Sequence, residues 1–285
     1  VPPNLSALGS LFYRLLKRSN VAIGSQNETS AKQVISVSPR SENIRLAAKM
    51  VFDHNIEGWV CNRIPDMVRF FDQLHEAQNI HGDIVEIGIH HGKLFFIMSS
   101  AARDNEKCIA VDLFEEQSLN IDKSGNGSYS HFSHYIETLF PHLKSKISAI
   151  HRDSISISLN QASNILSTDR VRLFSIDGGH TKHHVVNDMS LAQELVVSGG
   201  IILLDDFIGP HWLGVTEGFF QFMEKHNRRL APFMFFENKL FITTFSEHSA
   251  LLSATRAFIE SQYGDEIHHR WRTIEICGFN ALGCA

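Results

Sequence analysis

Cysteine is scarce in this sequence, a basic excess is missing, and no long apolar run occurs; each absence closes off a class of protein. The four cysteines, Cys61, Cys108, Cys277 and Cys284, form no CxxC pair and have no histidine at zinc-finger spacing. That excludes a disulfide scaffold or a zinc finger and reads as reduced thiols in a cytoplasmic protein. No run of eighteen apolar residues is present, so no transmembrane span is expected. A net charge of -5 lacks the basic excess of a general nucleic-acid binder. Residues 5–19 do not read as a signal peptide, because their basic residues follow the apolar stretch and no small-residue cleavage site is evident. The chain begins at Val1 without an initiator methionine, as expected of a processed chain or of one domain of a larger protein.

What is present is an ordinary globular composition, 43% hydrophobic and 20% charged, over 285 residues, enough for one large core with a small appendage. Histidine is abundant at 17, with doublets at His90-His91, His183-His184 and His268-His269. Leu5, Leu8, Phe12, Leu15 and Leu16 recur at helical spacing, predicting an amphipathic helix. Docking on its own domain, pairing in a homodimer and lying on a membrane surface are all open to it. Residues 24–42 are polar and serine-rich and read as a linker, and residues 43–55 and 64–79 as helices. The second of these carries the apolar set Met67, Val68, Phe70, Phe71 and Leu74.

From residue 83 onward, β-branched runs alternate with helical stretches. The runs are 83–89, 108–114, 147–152, 171–177 and 199–207. Strands apolar on both faces and separated by helices predict a doubly wound, mostly parallel α/β sheet. A helix over Val215 to Lys225 follows, then two strands flanking Glu237-Asn238 as a hairpin. Residues 248–285 read as a helix and an irregular tail. The expected divisions are 1–60 as a helical extension and linker, 61–247 as the main domain, and 248–285 as the tail.

Ligands of such sheets bind beyond the carboxyl ends of the strands, near the switch point. The first βα turn, Glu86-Ile-Gly88-Ile-His90-His91-Gly92, has glycines that let the backbone bend and approach a ligand. The helix that follows aims its free N–H groups at the same space. The turn is not the GxGxxG of a dinucleotide fold, so no pyrophosphate cradle is expected. Glu86 stands within the strand end, where a carboxylate calls for a polar partner. Asp112, ending the second strand, is placed to accept both hydroxyls of a ribose. Asp153 and Ser154, ending the third, are placed to meet an adenine edge. A solvated turn is the alternative for each alone; carboxylates at three successive strand ends favour a nucleoside.

The fourth strand ends Ile176-Asp177-Gly-Gly-His180 and the fifth Leu204-Asp205-Asp206-Phe207. Three carboxylates brought together repel, so some are protonated or a cation lies among them. An all-oxygen set suits Mg²⁺ or Mn²⁺. Asp205 and Asp206 can both ligate only if the strand turns between them.

IDGGH followed after a helix by GGIILLDDF resembles the metal-dependent macrocin O-methyltransferase family, class I S-adenosylmethionine-dependent enzymes that act on sugar hydroxyls; the cephalosporin-hydroxylase-like proteins are neighbours. The resemblance covers roughly residues 60–245. It implies a Rossmann-like sheet of seven strands in the order 3-2-1-4-5-7-6, strand 7 antiparallel, behind an N-terminal helical extension. It also implies Mg²⁺ at Asp177, Asp205 and Asp206, and His180 as general base. The S-adenosylmethionine contacts would lie at Glu86, Gly88, His90, Gly92, Asp112, Asp153, Ser154 and Asp177. Many members have glycine where this chain has His90 and His91. The acceptor implied is a small molecule or glycan, with no nucleic-acid partner; a catechol or phenol obeys the same metal logic. A Mg²⁺-dependent hydrolase and a catalytically inactive cofactor-binding module are the rival readings. The long polar loop 115–127 is expected to act as a lid over the cleft. Trp212 and His211 are expected either to meet a sugar or to fill the core.

Overall fold

The computed structural model describes residues 39–267 and 271–284. The helix predicted over 5–19, most of the linker and His268-His269 lie outside these residues. The last residues assigned to the linker are helical, because Pro39 opens helix α1 (Pro39–Asp53). Helix α2 (Ile64–Ala77) follows, with Pro65 in its first turn and Met67, Val68, Phe70, Phe71 and Leu74 all buried.

The alternation then unfolds as expected: β1 (Asp83–Ile87), α3 (Lys93–Ser99), β2 (Cys108–Asp112), α4 (Tyr129–Thr138), β3 (Ile147–His151), α5 (Ala162–Leu166), β4 (Val171–Ile176), α6 (Lys182–Leu195), β5 (Val196–Leu204) and α7 (Leu213–Lys225). Strands β6 (Leu230–Phe236) and β7 (Lys239–Thr244) form the hairpin. Its turn residues Glu237 and Asn238 both have positive φ, +50° and +67°, the twist that tight antiparallel turns require. Helix α8 (His248–Ile267) leads to β8 (Trp271–Ile276) and β9 (Phe279–Cys284).

The sheet runs β3-β2-β1-β4-β5-β7-β6-β9-β8. The expected order holds, with β7 antiparallel to β5, but the sheet has nine strands rather than seven. Residues assigned to an irregular tail are a hairpin that extends it: β9 runs parallel to β6 and β8 pairs antiparallel with β9. In β8 a single side chain, Ile276, is buried, so the apolar run that marks the inner strands is missing.

Side-chain alternation sorts the core into two layers. Ile84, Leu173, Leu203 and Phe241 face the layer of α1, α2 and α3. Val85, Ile87, Phe174, Ile176, Ile202 and Leu204 face α5, α6 and α7. No helix among the described residues is long and apolar enough to cross a membrane.

The amino edge of the sheet closes on a buried charge network. Arg172, fully buried in β4, donates from Nε to Glu106 at 2.9 Å and from Nη2 to Glu106 at 2.9 Å and to the Ala101 carbonyl at 2.7 Å. Its Nη2 also lies 3.2 Å from the Asp72 carboxylate, which Arg40 approaches at 3.3 Å. The backbone N–H groups of Gly82 and Arg103 donate to Glu106 as well. Asp72 and His75, one turn apart on α2, face this network together, and His75 Nε2 meets the Gly199 carbonyl at 3.1 Å.

Candidate active site

The carboxyl edge carries the opposite arrangement. A cleft of about 1040 Å³ opens there, lined by the ends of β1, β2, β4 and β5, by the start of β7 and by the loop after β2.

Glu86, Asp112, Asp153, Ser154, Asp177, Asp205 and Asp206 all line the cleft, as do Gly88, His90 and His180. Gly92 does not. Its φ is +90° and a Cβ there would lie 2.8 Å from the rings of Phe96 and Phe132, so packing demands that glycine rather than a ligand. Gly88, at φ +82°, is required by the neighbouring strand, since a Cβ would overlap the Asp177 carbonyl.

At the end expected to meet a nucleoside, Asp112 accepts the backbone N–H of His90 at 2.8 Å and of Phe114 at 2.6 Å. Burial pushes this carboxyl up while the N–H groups oppose the shift. His90 stands at φ +55°, the turn that delivers its N–H to Asp112. Asp153 caps the turn after β3 by accepting from the Ile155 N–H at 3.1 Å, and its other neighbour is His184 at 3.3 Å. Glu86 is buried, and its Oε2 has no hydrogen-bond partner. Burial and then the field of Asp177 raise it well above the carboxylate range, favouring the neutral acid. A buried polar atom without a partner facing a cleft is what a polar ligand would satisfy.

At the other end, the three expected metal ligands all reach the cleft but find different partners. Asp206 has φ +51°, so the chain does turn between the two aspartates. The turn nevertheless sends Asp205 to Lys239, with which it forms a buried ion pair. Burial opposes the Lys239 charge, but Asp205 and then Asp177 hold it above the ordinary lysine value. The group that gathers is Asp177, Asp206 and His180, with one ligand atom from each within 4.8 Å of the others. That group shares Asp177 and Asp206 with the expected trio of Asp177, Asp205 and Asp206, while Asp205 faces Lys239.

His180 is held from both sides. Its Nδ1 lies 2.9 Å from Asp122 Oδ2, and its backbone N–H donates to the same oxygen at 2.6 Å. Its Nε2 lies 3.2 Å from Asp206 and 3.7 Å from Asp177. Burial disfavours charge on this ring, but Asp177, Asp206 and Asp122 outweigh it and push His180 up to about 10. Enclosure and the Asp205 carboxylate push Asp177 up to about 7. Asp122 falls to about 2: burial opposes ionisation, and Ser124 and the His180 N–H overcome it. Trp212 stacks on the His180 ring at 4.3 Å and lines the cleft, whereas His211 is exposed outside it.

Asp122 and Lys239 are site residues that motif reasoning missed. Asp122 belongs to the loop expected to be a lid, which does border the cleft through Asn120, Asp122, Ser124 and Gly125. Lys239 opens β7; that strand runs antiparallel, so its first residue falls at the edge where the parallel strands end.

Residues 85–207 match a family model described as a methyltransferase domain. Over those residues the chain is similar to a methyltransferase domain. It stands on the class I fold, as the likeness to the O-methyltransferase NovP shows: TM-score 0.53 at 13% identity, covering 72% of this chain and 97% of that one. Two further solved structures resemble the chain more loosely. They are CalS11, a TDP-rhamnose 3'-O-methyltransferase of calicheamicin biosynthesis (TM-score 0.46, 12% identity, 74% of this chain and 97% of that one), and an O-methyltransferase from Bacillus cereus in complex with SAH (TM-score 0.46, 12% identity, 85% and 100%). No curated protein matches the chain.

Proposed function

We propose that the methyltransferase domain transfers the methyl group of S-adenosylmethionine to a hydroxyl of a sugar or glycoside, with His180 as general base and a divalent cation, Mg²⁺ or Mn²⁺, at Asp177 and Asp206. The observation that carries this reading is His180 itself. One ring nitrogen is fixed by Asp122 and the other faces two carboxylates, in the cleft that Asp112 and Glu86 also line.

The residues fit both groups. Asp112 with free lone pairs suits a ribose, and the partnerless Glu86 Oε2 suits a polar group of the same ligand. Two carboxylates with room for water and substrate are a common Mg²⁺ set. Bound there, the cation would supply positive charge to the carboxylates and Lewis acidity to the acceptor, and the cofactor would supply an electrophilic methyl carbon.

The chain's own residues do the rest. Asp122 orients the imidazole through Nδ1, leaving Nε2 to take the acceptor proton. With the cofactor bound, the cleft would hold the acceptor oxygen against the methyl carbon, sulfur would keep the electron pair of the broken carbon–sulfur bond, and His180 Nε2 would take the hydroxyl proton. The lid brings Asp122 into place, so closure and alignment of the base coincide. Trp212 offers an aromatic wall beside the acceptor. The sugar acceptor rests on the resemblance of IDGGH and GGIILLDDF to sugar O-methyltransferases. Cys61, Cys108 and Cys277, free thiols in this structure, go with the reducing, cytoplasmic setting we propose.

Lys239 favours a second reading, in which its ammonium takes the place of a cation and catalysis needs no metal. A panel of deoxysugars, glycosides and catechols with labelled S-adenosylmethionine, with Mg²⁺ or with chelator, separates the two. We expect a sugar to be methylated and chelation to abolish turnover. Turnover that survives chelation supports the lysine reading; transfer to catechols alone overturns the sugar acceptor. Cofactor binding without transfer to any acceptor supports an inactive module.

A further inference from the structure

A second cluster of metal-ligating side chains lies at the rim of the cleft, away from Asp177 and Asp206. Glu57 sits in the segment between α1 and α2, and His90 and His91 in the turn after β1. One ligand atom from each lies within 4.8 Å of the others. His91 Nδ1 is 3.5 Å from Glu57 Oε2, and His90 Nε2 is 3.9 Å from Glu57 Oε1.

Both imidazole nitrogens are buried and lack a hydrogen-bond partner. His91 is only 6% exposed, so its bare nitrogen has little water to turn to. The tautomer of His90 follows from its other nitrogen, which lies 3.4 Å from the Glu57 carbonyl and can only donate to it. In the neutral ring Nε2 then carries the lone pair, on the side of the Glu57 carboxylate. A histidine that donates one N–H to a carbonyl while its second nitrogen stays bare has the arrangement of a metal ligand with its outer support in place.

The backbone agrees. His90 holds φ +55°, a left-handed conformation uncommon for an L-residue. Lys93 Nζ donates to the Gly58 carbonyl at 3.0 Å, anchoring the segment that carries Glu57. The Glu57 side chain itself is 68% exposed and has room to adjust towards ligation at about 2.0–2.2 Å.

We propose that Glu57, His90 and His91 form a transition-metal site, most suited to Zn²⁺, with water in the fourth position. Two imidazoles and one carboxylate match the ligand preference of zinc and differ from the oxygen-rich Asp177–Asp206 group. The ion would pin the segment bearing Gly58, Trp59 and Val60, which lines the cleft, onto the turn that delivers the His90 N–H to Asp112. The proposal does not depend on the methyl-transfer reading above.

Titration of the whole chain with Co²⁺, followed by visible absorption and displaced with Zn²⁺, tests it. We expect an intense four-coordinate band in the unaltered protein that Zn²⁺ bleaches. Glu57→Gln and His91→Ala should each weaken binding at this site roughly tenfold or more, whereas Asp177→Asn leaves the band in place. Glu57→Gln changes an exposed side chain and leaves the fold intact. Absence of the band from the unaltered protein, a band unmoved by Glu57→Gln, or a band lost only in Asp177→Asn would overturn the site.

Discussion

The two edges of one sheet use the same side chains to opposite ends. At the amino edge, Arg172, Glu106, Asp72, Arg40 and His75 are packed into mutual ion pairs and hydrogen bonds. At the carboxyl edge, Glu86, Asp177, Asp205, Asp206, His180 and Lys239 crowd one cleft with acids in excess of bases. Glu106 shifts below its ordinary value because Arg172 and two backbone N–H groups overcome the cost of burial. Glu86 shifts well above it because burial and Asp177 act together. His75 is lowered to about 3, by burial and then by Arg172, while His180 is raised to about 10. Charges that satisfy one another hold a fold; charges left in imbalance are available to a ligand or a proton.

The largest effect that distinguishes the edges is on stability. Arg172→Met leaves Glu106 and Asp72 buried without their main counter-charge, and should cost about 3–5 kcal/mol in urea unfolding. Methyl transfer per folded molecule should change little. A variant as stable as the parent would mean that the amino edge is not the structural pole.

Next comes His180→Ala, which should slow turnover about 10²- to 10⁴-fold while cofactor affinity holds. Unchanged turnover would remove His180 from the chemistry.

A subtler contrast lies in pH dependence. The folded chain keeps His75 neutral down to about pH 3, whereas the unfolded chain protonates it below about 6.5. Its contribution is therefore present above pH 6.5 and lost as pH falls towards 3. His180 keeps its proton in the folded, cation-free chain up to about pH 10, so its contribution is full below pH 6.5 and lost on the way to 10. Melting temperatures measured in chelator should show His75→Gln flattening the acid limb and His180→Ala the alkaline limb. Both substitutions acting on the same limb would break the comparison.

Much of this was legible in the sequence, for a physical reason. Strands β1, β2, β4 and β5 are largely buried on both faces, so their apolar runs stand out, and ligand-facing residues of a parallel sheet fall at strand ends, where Glu86, Asp112, Asp177 and Asp206 were found. What escaped notice depends on contacts distant in sequence. Asp122 meets His180 across 58 residues through a loop of its own shape. Lys239 meets Asp205 across 34, and only the antiparallel course of β7 brings it there. Arg172 reads as one polar residue in an apolar run until Glu106 and Asp72 surround it. The β8–β9 hairpin hid for a different reason: Trp271–Ile276 buries little, and its turn at Cys277-Gly278, with φ +52° and +81°, is the clearest trace it leaves.

The claim that the carboxyl edge is a nucleoside-cofactor site is tested most directly by calorimetry with S-adenosylhomocysteine. The account predicts that the unaltered chain binds it, that His180→Ala binds it equally well, and that Asp112→Ala binds it far more weakly. No binding by the unaltered chain, with or without Mg²⁺, would contradict it.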